Sequence, residues 1–330
     1  MITHCQKGVA ILGVGSHVPG RVMTNDELAT MVETSDEWIA QRTGIRERRI
    51  AGKDESTADL GAAAAAAALA DAGVKAGDLD LIVAATASPD YYFPATASLI
   101  GEQIGAGDVA GYDLSAACTG FIYALAQGYA QVASGLAETV LVVGTEVFSR
   151  LLDWSDRSTC VLFGDGAGAV VLGRNGSESG LLGFELGANG SGAGLLSVPA
   201  AGHRENQQER PFVQMNGPEV YKFATRVVVE SAEACLRAAG LEVGDVDVFL
   251  PHQANQRIID HAARRLGIAP ERVFCNVARY GNTSAASIPL GLDEAYREGR
   301  ITPGDVVLMV GFGGGLAWGS CVMEWTKERR

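Results

Sequence analysis

One segment of this chain is written twice. Residues 68–83 (ALADAGVKAGDLDLIV) align with residues 235–250 (CLRAAGLEVGDVDVFL) at an offset of 167, with identities at Leu69/Leu236, Ala72/Ala239, Gly73/Gly240, Gly77/Gly244, Asp78/Asp245 and Asp80/Asp247. The same offset lays residues 140–144 (VLVVG) on 307–311 (VLMVG). Two separate matches at one spacing, near half of the 330 residues, point to two homologous halves. Each copy runs from a glycine-marked helix end into an apolar run of strand length. Because strands alternate with helices in both halves, the expected fold is α/β, with mainly parallel sheets covered by helices. The pattern breaks at 173–180, around RNGSESG, which divides the chain into halves 1–175 and 176–330. The duplication also says which positions correspond. Cys118 falls opposite Ala285 and His252 opposite Ala85, each expected at the carboxyl end of a strand, where open α/β sheets hold their ligands.

Three chemical groups stand at such ends. Residues 113–126 (DLSAACTGFIYALA) place Cys118 where a strand over 109–114 gives way to an apolar helix carrying Phe121, Ile122, Leu125, Ala126 and Tyr129. In that helix's first turn a thiol faces free backbone amides and the positive end of the dipole, which lower a free cysteine pKa of about 8.5 by a unit or more. A small apolar residue packed in a core is the competing reading. The strand over 246–250 runs into PHQANQR, where the His252 imidazole precedes a helix. Residues 280–287 (YGNTSAAS) put Asn282 in the turn before another helix, and a plain N-cap motif competes here. The run GFGGG at 311–315 ends a strand, lets backbone approach a ligand and offers amides to an oxyanion.

The remaining chain narrows the class. A strand over 8–14 is followed by GVGSHV, with only two of the three glycines of a dinucleotide fingerprint. Residues 24–50 read as a polar helical segment, with Ser35 or Thr34 as cap, and 61–69, with seven alanines, as a tightly packed helix. Residues 183–217 are glycine-rich and polar, too long for an ordinary connection, which suggests a lid. Asn216 and Pro218 start an amphipathic helix ended by Gly240. A formal charge of −13 argues against general nucleic-acid binding. Six scattered cysteines suggest neither a disulfide framework nor a zinc site. With no signal-peptide pattern and no long apolar run, a cytoplasmic protein outside the membrane is expected.

Taken together, the blocks TSDEWIAQRTGIRER, AACTGF, FGDGAGAVVL, PHQANQRII, YGNTSAASIP and GFGGGLAWGS resemble the β-ketoacyl-acyl carrier protein synthases III, initiating condensing enzymes of the thiolase superfamily. The resemblance covers essentially the whole length. It implies a thiolase-like fold, two duplicated βα halves in an α-β-α-β-α core, and a triad of Cys118, His252 and Asn282. It implies two substrates, an acyl-CoA that acylates Cys118 and a malonyl carrier protein that then condenses with it, and no cofactor. Backbone amides of Cys118 and Gly314 would form the oxyanion hole, with Phe312 as the aromatic beside the site. For CoA the matching residues are Trp38 and Arg157 around the adenine, Arg42 at a phosphate, and Gly217 and Asn255 near the pantetheine arm. Phe93 matches a residue that enters the partner subunit's acyl pocket, implying a homodimer. An acidic carrier protein requires a local positive face on this acidic chain. Arg257 matches a carrier contact, and Lys222, Arg226, Arg264 and Arg265 are further candidates on the flanking helices.

Other readings fit less well. A biosynthetic thiolase would carry a second cysteine near the glycine run, whereas Cys321 belongs to a predicted strand. Elongating synthases use a second histidine where this chain has Asn282. A papain-like hydrolase shares the order Cys, His, Asn, but this sequence shows none of its flanking signature, secretory signal or disulfide pattern. A non-catalytic homologue would be expected to have lost Cys118, and a relative in a specialised pathway would differ in acyl donor or acceptor.

Overall fold

A computed structural model describes residues 1–5, 8–199 and 212–329. Among them are two five-stranded mixed sheets. In the first, Leu81–Ala85 pairs in parallel with Ala110–Leu114 and with Val140–Glu146. Gly166–Arg174 then runs antiparallel to Val140–Glu146, and Val9–His17 antiparallel to Gly166–Arg174. The second repeats the plan, with Val248–Pro251 parallel to Val306–Gly313 and with Ala317–Glu324 and Leu181–Ala188 following antiparallel. Its far edge is Ile2–His4, paired with Leu181–Ala188, so the chain's first strand sits in the sheet of the second half.

The sheets are therefore mixed rather than mainly parallel. Parallel pairing needs a helical crossover, and Val306–Gly313 joins Ala317–Glu324 through three residues, which permits only an antiparallel return. The repeat itself is visible in the elements. The helices Thr57–Ala72 and Gly217–Ala239 end at positions related by the offset, each closed by a left-handed glycine, Gly73 and Gly240.

Alternation along each strand sorts side chains into layers. Ile82 and Ala84 face helix Thr57–Ala72 on the outside, whereas Val83 and Ala85 point to the middle, where helices Gly120–Ser134 and Ser287–Arg297 lie between the sheets. On the far side, Phe249, Leu308 and Val310 pack against Gly217–Ala239 and Gln256–Leu266. This is the α-β-α-β-α order.

Two sequence expectations are corrected. Residues 24–50 are not one helical segment: Asn25–Ala29 and Asp36–Thr43, the latter capped by Ser35 rather than Thr34, are held between the paired strands Arg21–Thr24 and Glu47–Ile50. Nor is 183–217 loop throughout, since Leu181–Ala188 is a full strand whose glycines pack against helix Gly217–Ala239 and Trp318. Leu196–Ser197 and Gln214–Met215 pair beyond it, and residues 200–211 of the expected lid lie outside the described residues.

Candidate active site

Cys118 lies in a short 3-10 turn, Ala117–Thr119, between strand Ala110–Leu114 and helix Gly120–Ser134. At the same offset of 167 the second half has the turn Ser284–Ala286, and the two turns pack against each other across the seam. Ala117 and its counterpart Ser284 both have positive φ, +46° and +48°. Left-handed backbone costs a non-glycine residue roughly 1–2 kcal/mol, so these turns are held by what surrounds them. Strand Val306–Gly313 is one such support: a Cβ on Gly313 would stand 2.9 Å from that of Cys118, which leaves room only for glycine.

The thiol is buried, at 4% exposure. Burial pushes its pKa up to about 12, the buried Glu146 carboxylate adds to the rise, and the Ser284 hydroxyl and the cysteine's own amide oppose it. The expectation of a lowered pKa fails for a physical reason. The helix begins two residues after Cys118, and loss of water outweighs the dipole. The resting Cys118 sulfur is therefore a protonated thiol.

His252 follows strand Val248–Pro251, and its amide donates to Val310. Its ring meets Phe312 edge-on at 5.4 Å between centroids. The imidazole is 1% exposed, and neither ring nitrogen has a partner among the described residues. Leaving a buried polar atom unpaired costs about 1–3 kcal/mol, and such atoms call for an explanation such as a ligand. Burial also lowers the His252 pKa to about 3, so the ring is neutral near pH 7. The sign for stability follows: below pH 6.5 the unfolded histidine takes a proton that the folded one refuses, so stability falls as pH drops from about 6.5 toward 3. The slope is up to about 1.4 kcal/mol per pH unit. Chemical denaturation at pH 7 and 5 should show His252→Gln losing less over that interval than the parent chain; equal losses would contradict a neutral buried ring.

Asn282 is 7% exposed and forms a bridge to Phe163. Its Oδ1 accepts the Ser284 amide at 2.9 Å, a turn contact within its own loop that leaves the amino end of the carboxamide for a substrate. Phe163, Phe148, Val213 and Leu196 line a cavity of about 320 Å³ together with Cys118, Gly314 and Gly315. Neither His252 nor Asn282 lines it. Asn282 is one contact away, through Phe163, whereas His252 is further off, against Phe312, whose chain neighbour Gly313 abuts Cys118.

The other positions fall in two surface regions. Trp38 is half-buried, with the guanidinium carbons of Arg42 and Arg157 at 4.4 and 4.8 Å from its ring centroid. Asn255 caps helix Gln256–Leu266 and donates to the Arg42 carbonyl at 3.0 Å, while Gly217 opens helix Gly217–Ala239. Lys222, Arg226, Arg257, Arg264 and Arg265 are exposed on those two helices, but Arg226 is engaged by Glu230 at 2.6 Å. Arg257 lies over Tyr221 at 5.4 Å. Phe93 is 86% exposed, beside exposed Tyr91 and Tyr92. Sequence reasoning missed Ser284 and Glu146. The second was signalled by an acidic residue closing an otherwise apolar strand, VLVVGTE.

Two family models match, one described as 3-oxoacyl-[acyl-carrier-protein] synthase III over residues 112–190 and one as its C-terminal part over 236–325. A β-ketoacyl-[acyl-carrier-protein] synthase III of Desulfitobacterium hafniense is 49% identical over 97% of this chain and 98% of its own length. The crystal structure of 3-oxoacyl-[acyl-carrier-protein] synthase III from Aquifex aeolicus superposes with a TM-score of 0.92 at 46% identity, covering 96% of this chain and 100% of that one. The priming β-ketosynthase of the R1128 polyketide pathway shares the fold at a TM-score of 0.93 but 38% identity, over 99% of both chains. With near-full-length identity of this order, a duplicated α-β-α-β-α core and a buried cysteine at its seam, the chain belongs to the β-ketoacyl-[acyl-carrier-protein] synthase III family.

Proposed function

We propose that the chain joins an acyl-CoA starter to a malonyl carrier protein in two steps, through an acyl-Cys118 intermediate. The buried His252 ring, with both nitrogens unpartnered among the described residues, is the observation that carries this reading. A neutral imidazole offers one N–H, and the Asn282 carboxamide offers another. In the first step the Cys118 sulfur attacks the acyl thioester, CoA leaves with the proton, and the amides of Cys118 and Gly314 take the oxyanion. In the second, the carbon–carbon bond to the malonyl carboxylate breaks. Its electron pair passes to the thioester oxygen held by His252 and Asn282, and carbon dioxide leaves. The enolate carbon then attacks the acyl-cysteine, a new carbon–carbon bond forms, and the Cys118 sulfur departs and regains a proton. An apolar cavity around Cys118 suits an acyl chain.

Under the same reading Trp38, Arg157 and Arg42 receive the nucleotide end of CoA, with Gly217 and Asn255 along the pantetheine arm. The exposed Phe93 region is buried in a homodimer, and the two halves, 1–175 and 176–330, act as domains of a cytoplasmic enzyme. Among the described residues no helix is long and apolar enough to cross a membrane. Mass spectrometry tests the central claim. Mixing with an acyl-CoA should leave an acyl group on Cys118 that disappears when malonyl carrier protein is added, and failure with acetyl, branched and longer acyl-CoAs alike would refute it.

The carrier protein docks on Lys222, Arg257, Arg264 and Arg265, which surround the His252 side. Arg257→Glu should raise KM for malonyl carrier protein on the order of tenfold with acyl exchange from CoA nearly unchanged. Steady-state kinetics with both substrates decides this, since equal loss of both activities would place the patch elsewhere.

A further inference from the structure

Strand Val140–Glu146 ends in a carboxylate with no exposure to solvent. Glu146 Oε2 accepts the Ser88 hydroxyl at 2.5 Å and the Thr86 hydroxyl at 3.2 Å, and the Ala87 amide reaches both oxygens. From the other half, the Ala285 amide donates to Oε1 at 3.3 Å. The two hydroxyls are oriented by their own acceptor sides: Thr86 accepts the Ser88 amide and Ser88 accepts the Val147 amide, so their protons point at the carboxylate. Burial raises the Glu146 pKa, and the hydrogen bonds from Ser88, Ser284, Ala87 and Ala285 oppose that rise; partners that only donate favour the anion, because a protonated acid would need an acceptor.

Adjacent amides in the second half's turn are thus divided between two side chains. Ser284 N–H is held by Asn282 and Ala285 N–H by Glu146. Gly144, two residues before Glu146, supports the same turn, since a Cβ there would stand 2.3 Å from the Ala285 oxygen. We propose that Glu146 is a positioning residue for condensation: its carboxylate fastens the Ser284–Ala286 turn, and through it the Asn282 carboxamide, to the strand end beside Cys118. The inference rests on the two-step reading above. Glu146 is also the charged group that acts on the Cys118 thiol, whose other influences are burial, the Ser284 hydroxyl and its own amide, while burial alone keeps His252 neutral.

Geometry and charge make opposite demands, and two variants separate them. Glu146→Asp keeps the charge but is one methylene too short to reach Ala285. Its kcat for condensation should fall about tenfold or more, with KM for malonyl carrier protein within about twofold and the pH profile of Cys118 alkylation by iodoacetamide unmoved. Glu146→Gln keeps the length and removes the charge, but its amide nitrogen is a donor facing the Ser88 and Thr86 hydroxyls and the Ala87 amide, so the anchorage of the turn is disturbed here too. Its alkylation profile should move to lower pH and its acyl loading should not slow, although condensation does. Thermal unfolding of both variants accompanies the kinetics. Condensation kcat near the parent value in either folded variant, or loading and condensation lost in equal proportion in both, overturns the proposal. A parent chain that loads acyl groups but never condenses would remove the two-step reading and this proposal together, and the alkylation profiles would still report the charge separately.

Discussion

Replacing Cys118 by alanine is expected to abolish both acyl loading and condensation, a loss on the order of 10⁶-fold, the scale seen when a covalent nucleophile is removed. The loss should not be one of folding. Cys118 is a small side chain in a turn already shaped by Ala117 and Gly120, and alanine occupies the equivalent position, Ala285, in the other half. Its unfolding transition should therefore stay close to that of the parent. Under the proposed two-step reading, the malonyl-cleaving step depends on His252 and Asn282 rather than on sulfur. Release of carbon dioxide from malonyl carrier protein should persist in Cys118→Ala, measured with labelled malonate. Condensed product from a folded Cys118→Ala protein would refute a covalent route.

The second large effect separates the two half-reactions. His252→Ala and Asn282→Ala should each slow condensation about a hundredfold, near 3 kcal/mol, the magnitude of removing one donor to a developing oxyanion, while acyl loading of Cys118 changes only a few-fold. The asparagine has a second duty, since its Oδ1 holds the Ser284 amide in a left-handed turn. Asn282→Asp isolates that duty: it keeps an acceptor for Ser284 but presents negative charge to the enolate, and should be at least as slow as Asn282→Ala. If both donors serve one oxygen, as proposed, the double variant His252→Ala/Asn282→Ala should lose less than the sum of the single losses. Equal loss of loading and condensation in every variant would show that these residues support the fold and not the malonyl step.

The duplication was the most legible part of the sequence. A repeat at one offset states that elements such as Thr57–Ala72 and Gly217–Ala239 are equivalent, and it places Cys118 opposite Ala285. Strand direction was not legible. Apolar runs look alike whichever way a neighbour runs, so Gly166–Arg174 and Ala317–Glu324 could not be seen to return antiparallel. Chemical groups at strand ends could be named singly, but their electrostatics could not. The local rule of a cysteine near a helix start predicted a lowered pKa, and the long-range burial of Cys118, with Glu146 beside it, reversed the direction. Glu146 went unnoticed because Thr86, Ala87 and Ser88 stand on a neighbouring strand end 58 to 60 residues away and Ala285 lies in the other half, and Ser284 because it meets Cys118 only when the halves close.

Ile2–His4 forms the edge of the second half's sheet, beside residues 183–185. During synthesis these first residues leave the ribosome long before their strand partner exists, at a rate of about 5–20 residues per second. The first half can assemble its own strands in the meantime, but the second sheet is finished by residues made before any strand of the first sheet. Unpairing residues 2–4 would therefore disturb the half that is made last, and the two halves cannot be cut apart at residue 175 without leaving one of them an edge short.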